Sequence, residues 1–481
     1  MRLDMQRISS QQVAMRLRSE NPWWEKATGI PDVMATMTPR PYLDLMYPLL
    51  TESTVNRAVV LLGPRRVGKT VMIHHAIQWL LRTSIGPARI CYISVDHPLY
   101  NELSVDELLE IYSQTAGVDT HNEECFVFLD EIQYMKDWER YLKILVDTHP
   151  NIRFLASGSA AAALRLKSTE SGAGRFTDFL LPPLTFYEFL LLLSEDQLVS
   201  RLQGNKMDKL ADRDVQRLNG LFVDYINYGG YPEVILSKEI QKDPSRFIKS
   251  DIIDKVLLRD LPSLYGVQDI QELNSLFTTL AFNTANEISL NELSKNSGVA
   301  KNTIKKYIEY LEAAFLIRVV HRVDKSAKRF RRKNFFKVYL TNPSIRTALF
   351  TPITSDDKFM GSLVETAIFS QWFHSPTAPL YYARWNKGEV DIVSLNRETQ
   401  DPLWAVEVKW SDRFLDKPSE LGNLVAFCHQ HNLKRAAVTT VSRSGSKTLD
   451  NVKLEFKPAS FYCFILGRNI LKGRLLKDKA Y

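Results

Sequence analysis

Short apolar runs alternate with helically spaced stretches through the first third of the chain. Residues 58–62, 89–95, 126–129 and 152–156 read as buried strands. Between them, residues 71–81, 105–116 and 138–147 carry apolar positions at helical spacing. Strands alternating with helices predict a parallel sheet covered by helices. Residues 1 to about 50 read as helical segments and loops before the first strand. The longest apolar stretch, residues 179–193, contains Pro182, Pro183 and Glu188. It cannot make the roughly 20-residue apolar helix that a membrane span needs.

The middle of the chain is mainly helical after a turn at Tyr228-Gly229-Gly230-Tyr231-Pro232-Glu233. Residues 288–308 predict a helix-turn-helix. Leu290 and Leu293 mark the first helix, Gly298 makes the turn, and Asn302-Thr303-Ile304 opens the second. Tyr307, Ile308 and Leu311 continue its apolar face. Residues 316–323 read as the next strand, so a winged helix is expected. Further on, residues 363–373 are helical, and residues 389–393 and 404–410 are strands. In the last of these, alternation puts Trp404, Val406, Val408 and Trp410 on one face and Ala405, Glu407 and Lys409 on the other.

The chemistry sits at the ends of these elements. The first strand runs into Gly63-Pro64-Arg65-Arg66-Val67-Gly68-Lys69-Thr70 and then a helix. This is the strand–loop–helix setting of a Walker A phosphate loop. Its glycines let backbone N–H groups face phosphate oxygens beside a helix N-terminus. Lys69 is expected to reach the β- and γ-phosphates of ATP, and Thr70 to ligate Mg²⁺. The strand Cys125-Phe126-Val127-Phe128-Leu129 ends in Asp130-Glu131, like a Walker B strand. Asp130 is expected to hold the Mg²⁺ through its water shell and Glu131 to polarise the attacking water. The next strand ends in Ser157-Gly158-Ser159. Arg175, in the following Gly-Arg step, is a candidate arginine finger for a neighbouring subunit's site.

Two further constellations lie downstream. Lys325, Lys328, Arg329, Arg331, Arg332, Lys333 and Lys337 crowd the segment where the wing should be. Such a wing suits phosphate contacts on a DNA duplex. In the last third, Asp391 and Glu407 are expected to clamp a second divalent ion, Mg²⁺ or Mn²⁺. Lys409 would orient or activate a water there, and Glu365 would be a further ligand. A lysine that neutralises Glu407 without metal is the competing reading.

Composition narrows the class. At 45% hydrophobic and 24% charged residues the chain is ordinary for a soluble globular protein. A net charge of +7 leans toward a polyanionic partner. Cys91, Cys125, Cys428 and Cys463 are far apart, form no C-x-x-C, and fit a reducing cytoplasm. No secretory signal is visible.

Taken in order, GPRRVGKT, LDEIQ, SGS, GR, PLTFYEFL, GGYPE, LLRDL, the helix-turn-helix, KVYL and the closing E, EVD and EVK block resemble one group. They are similar to the prokaryotic AAA-type ATPases that carry a C-terminal domain of unknown function. The resemblance implies an AAA-type P-loop ATPase core at 1–240. It implies a helical, winged-helix region at 241–350 and a restriction-endonuclease-like α/β domain at 351–481. It also implies ATP hydrolysis and a γ-phosphate-sensing serine, Ser157 or Ser159. Thr341-Asn342-Pro343 departs from the acidic residue that the group tends to carry there. The expected function is an ATP-driven protein acting on DNA, with a metal-dependent cut, and with homo-oligomers as the setting for Arg175. The alternative is a nucleotide-dependent switch that binds protein partners and whose nuclease-like domain is inert.

Overall fold

The computed structural model describes residues 9–25, 29–52, 54–100, 103–135, 137–158, 174–204, 211–328, 334–373, 379–385 and 388–472. Ser159 and the basic residues Arg329, Arg331, Arg332 and Lys333 lie outside them. The chain divides into two compact units, 1–181 and 182–481.

In the first unit five parallel strands form a sheet in the order β2-β3-β4-β1-β5. They are β1 (Ala58–Leu62), β2 (Ile90–Ser94), β3 (Cys125–Asp130), β4 (Ile152–Gly158) and β5 (Phe176–Leu180). β1 and β3 are buried along their whole length and are almost wholly apolar, as a sheet covered on both faces requires, and β4 is buried but for Arg153. Helices α1 (Lys69–Leu80), α2 (Val105–Ala116) and α3 (Trp138–Thr148) connect them. The fifth strand was not expected. It lies at an edge, and its Thr177 and Asp178 break the apolar run. The other edge is closed by the segment before β1. Asn21 accepts from the Tyr92 N–H at 2.6 Å and donates to the Tyr92 carbonyl at 2.8 Å, as a neighbouring strand would.

The second unit holds a nine-stranded mixed sheet in the order β13-β14-β12-β11-β10-β9-β7-β8-β6. Its first part is β6 (Glu287–Ser289), β7 (Ile317–Val323) and β8 (Phe335–Leu340). Between β6 and β7 stand two helices, α4 (Leu290–Ser297) and α5 (Lys301–Ala313). Gly298 between them has φ 74°, the left-handed turn expected of it. The second part is β9 (Leu380–Trp385), β10 (Gly388–Leu395), β11 (Pro402–Glu407), β12 (Arg435–Thr440), β13 (Gly445–Leu449) and β14 (Val452–Pro458). Parallel pairing of β7 with β9 makes one sheet of the two parts.

The boundaries expected at 240/241 and 350/351 do not coincide with the division at 181/182. Residues after Leu181 are tied into the second unit by buried polar groups. Gln371 accepts from the Phe186 N–H at 2.9 Å and donates to the Tyr225 hydroxyl at 2.9 Å. Asn227 donates to the Ile353 carbonyl at 2.9 Å. Asn342, in the Thr341-Asn342-Pro343 segment singled out above as a departure from the group, is fully buried. It accepts from the Ser344 N–H at 2.9 Å and donates to Tyr225 at 3.3 Å, a structural role that needs an amide.

Candidate nucleotide site and a carboxylate–lysine cluster

β1 ends at Leu62, and the chain loops through Gly63–Gly68 into α1. Gly68 has φ 93°, where a side chain is strained. A Cβ on Gly63 would lie 2.3 Å from the Leu181 carbonyl oxygen. Lys69 is 5% exposed, and its Nζ donates to the carbonyls of Gly63 at 3.1 Å and Pro64 at 2.9 Å. The ammonium is thus held inside the loop. Arg40 braces the loop from outside it, donating to the Val67 carbonyl at 3.0 Å. Sequence reasoning missed Arg40, because no motif marks a residue that far upstream.

Asp130 gathers the other elements. Thr70 Oγ1 donates to Asp130 Oδ2 at 2.7 Å, joining the two residues expected to share Mg²⁺. Tyr92, on β2, donates to the same oxygen at 2.9 Å. Burial, and then the Asp130 charge, push its phenol pKa far up, so it stays a neutral donor. Ser157 Oγ donates to Asp130 Oδ1, and the Glu131 N–H donates to that oxygen at 3.2 Å. Here Ser157 positions the Asp130 carboxylate. Glu131 has φ 58°, left-handed for a residue with a side chain, and Gln133 donates to its carboxylate. His74 bonds the Thr70 carbonyl through Nδ1 at 2.9 Å, and burial pushes its pKa down.

Arg175 precedes β5. Its carbonyl accepts from the Ala58 N–H at 2.9 Å, and its guanidinium pairs with Asp147. Both side chains are about half exposed, so this is a surface pair of small worth.

Glu365, Asp391, Glu407 and Lys409 lie near one another, with Lys337 among them. Glu365 lies on α6 (Met360–Trp372), Glu389 and Asp391 on β10, and Glu407 at the end of β11. Lys409 Nζ is 2.7 Å from Glu407 and 3.5 Å from Asp391. Lys337, read from sequence as part of a basic wing, is 3% exposed. Its ammonium is 2.8 Å from Glu365, 2.7 Å from Glu389 and 3.9 Å from Asp391. That expectation is corrected: Lys337 lies within β8, on the face covered by the helix that carries Glu365, so its ammonium is buried among carboxylates. Tyr339 donates to Glu365 at 2.6 Å, and the Val408 N–H to Asp391 at 2.8 Å. β11 stops at Glu407, short of the expected end at Trp410, because the next N–H is taken by Asp391.

Burial raises the Glu365 pKa to about 7, with Lys337 opposing and Asp391 adding to the rise. Burial and then Asp391 raise Glu407 to about 8 against Lys409. Burial works against the charge of both lysines. The carboxylates outweigh it and hold both above the ordinary lysine value. Glu407 Oε2 is buried without a hydrogen-bond partner among the described residues. Among the described residues, no group of three or more His, Cys, Asp and Glu side chains is arranged to hold a metal ion. Lys337 faces Glu365 and Asp391, and Lys409 faces Asp391 and Glu407, so ammonium groups supply the counter-charge that a second ion would have supplied there.

Residues 55–190 match the family model described as an AAA domain. Residues 219–357 match a domain of unknown function (DUF8612). An uncharacterized protein of Methanocaldococcus jannaschii is 25% identical over 336 residues, which are 66% of this chain and 68% of that protein. An uncharacterized protein of Haemophilus influenzae is 26% identical over 292 residues, 60% of this chain and 68% of its own length. A Walker-type ATPase of Pyrococcus abyssi aligns with a TM-score of 0.38 at 14% identity, over 66% of this chain and 99% of that one. The segment around the phosphate loop is thus of the AAA-type P-loop ATPase class. Among the described residues no helix is long and apolar enough to cross a membrane.

Proposed function

We propose that the first unit binds ATP with Mg²⁺ and hydrolyses it, and that this turnover drives action on DNA by the second unit. The bond set joining Thr70, Asp130, Ser157 and Glu131 beside Lys69 carries the first half of this reading. A hydroxyl and a carboxylate are the hard oxygen donors that Mg²⁺ takes, so the residues fit the ion. Bound Mg²⁺ would neutralise phosphate charge. Lys69 would exchange its two carbonyl partners for phosphate oxygens. Tyr92 and Ser157 hold Asp130 in one orientation. Glu131 orients a water and takes its proton.

The DNA half rests on the helix pair α4–α5 flanked by β6, β7 and β8, read as a winged helix. On α5 the buried face is Ile304, Tyr307, Ile308 and Leu311, and the exposed face presents Lys301, Lys305 and Lys306. Cations in that arrangement suit duplex phosphates. The sheet with Asp391, Glu407 and Lys409 is read as restriction-endonuclease-like, with Lys409 as the residue beside an attacking water.

One observation favours the second reading, a nucleotide-dependent switch with protein partners and an inert nuclease-like domain. Lys337 and Lys409 already compensate part of the carboxylate charge. ATPase assays with and without DNA, together with binding across a salt series, separate the two. DNA-stimulated turnover with affinity falling as salt rises supports action on DNA. Turnover indifferent to DNA, with no salt-dependent binding, supports the switch.

A further inference from the structure

The N–H groups of the phosphate loop can face an anion only if its carbonyls face away, and buried carbonyls need donors of their own. Lys69 Nζ serves Gly63 and Pro64, and the Met72 N–H serves Gly68 at 2.9 Å. The Val67 carbonyl takes Arg40, at 3.0 Å. These donors differ in one respect. Lys69 has to leave its carbonyls to reach a phosphate, whereas Arg40 approaches from outside the loop and has no need to move.

The Arg40 bond also sets a direction. The Val67–Gly68 peptide is trans, so its carbonyl and its N–H point to opposite sides. With the carbonyl turned out to Arg40, the Gly68 N–H is turned into the loop. Gly68, at φ 93°, offers no side chain to hold that peptide in place. Arg40 is itself held. It is 7% exposed, and its guanidinium lies 5.2 Å from the centre of the Tyr42 ring, which stands edge-on to Phe179 at 6.1 Å. The segment that carries it is tied to α1 on both sides of Arg40. His75 Nε2 donates to the Met34 carbonyl at 2.9 Å, and Tyr47 packs edge-on against Trp79 at 5.1 Å.

We propose that Arg40 is a positioning residue for the nucleotide. Through the Val67 carbonyl it keeps the Gly68 N–H aimed at the phosphates that ATP and ADP share. The proposal rests on the reading that this loop binds ATP. A contact to shared phosphates strengthens ground state and transition state alike, so its loss raises KM far more than it lowers kcat.

The test uses the full chain. Arg40→Met keeps the bulk of the stem and removes the donor, and Arg40→Lys keeps a donor. Arg40→Met is expected to weaken ADP and ATP binding alike, by about 10- to 100-fold, the worth of a hydrogen bond from a charged group. KM for ATP should rise in step while kcat falls less than about threefold. Arg40→Lys should recover most of the affinity. In the nucleotide-free protein, amide hydrogen exchange over residues 63–72 should quicken in Arg40→Met and return toward the parental rate in Arg40→Lys. If Arg40→Met does not fold, Arg40→Gln, which lacks both the charge and the full reach, gives the same comparison. A folded variant without the donor that binds ADP and ATP as the parent does overturns the proposal, and so does a loss confined to kcat. A parent that binds neither nucleotide overturns the ATP reading and this proposal with it. A parent that binds both, with Arg40 variants that match it, overturns this proposal alone.

Discussion

Lys337 is the residue on which the second unit's polar interior turns. Its ammonium sits between Glu365 and Glu389 at 3% exposure. Removing one member of a buried ion pair leaves uncompensated charge, at a cost of about 3–5 kcal/mol. Lys337→Met is expected to lower the stability of the second unit by that order in denaturant titrations. Adding Glu365→Gln should restore part of the loss, since the stranded charge is gone. A Lys337→Met protein as stable as its parent contradicts the described arrangement. The same cluster sets a pH dependence. Glu365 near 7 and Glu407 near 8 both titrate above the ordinary carboxylate value in the fold. The folded state therefore holds protons that the unfolded chain releases near pH 4.5. Stability from these groups is full below that pH and declines as pH rises toward 8. Thermal melts from pH 5 to 9 should show this decline, and Glu365→Gln with Glu407→Gln should flatten it. A melt that rises over this window in the parent alone contradicts the assignment.

At the scale of elements, the turn after residue 228 shows why glycine stands at Gly230. A Cβ there would lie 2.8 Å from both the Asn342 side chain and Ser344 Oγ. Both neighbours are buried, so neither can give way cheaply. Gly230→Ala should therefore cost about 1–3 kcal/mol in equilibrium unfolding. Combining it with Asn342→Ala should not add the two costs, because the residues touch. How much of each element was legible follows the same logic. The inner strands of the first unit were readable because burial on both faces demands an unbroken apolar run. β5 was not, because an edge strand tolerates Thr177 and Asp178. The pairing of Glu407 with Lys409 was expected from the two-residue period of a strand, but β11 ends at Glu407 and Lys409 reaches it from the segment beyond. Lys337 was not, since in sequence it is one basic residue among many, and only the sheet shows it turned inward. Arg40 and Tyr92 reach their partners across the fold, and no local spacing records that.

For the whole molecule, the open question is what turnover at the phosphate loop requires. Arg175 pairs with Asp147 within its own unit, so acting on a neighbour would mean giving up that exposed pair. Arg175→Ala and Lys69→Ala proteins, each inactive alone, should regain partial ATPase activity when mixed. Full activity of a strictly monomeric Arg175→Ala protein contradicts action in trans. The account's central claim is that the Thr70–Asp130–Glu131 constellation turns over ATP with Mg²⁺. The most direct measurement is steady-state ATP hydrolysis alongside ATP binding for the parent, Lys69→Ala and Glu131→Gln. Loss of the water-orienting carboxylate should slow hydrolysis by about 10²–10⁴-fold while ATP still binds. Lys69→Ala should neither bind ATP tightly nor hydrolyse it. Hydrolysis by Glu131→Gln at the parental rate, or ATP turnover unchanged by Lys69→Ala, would contradict it.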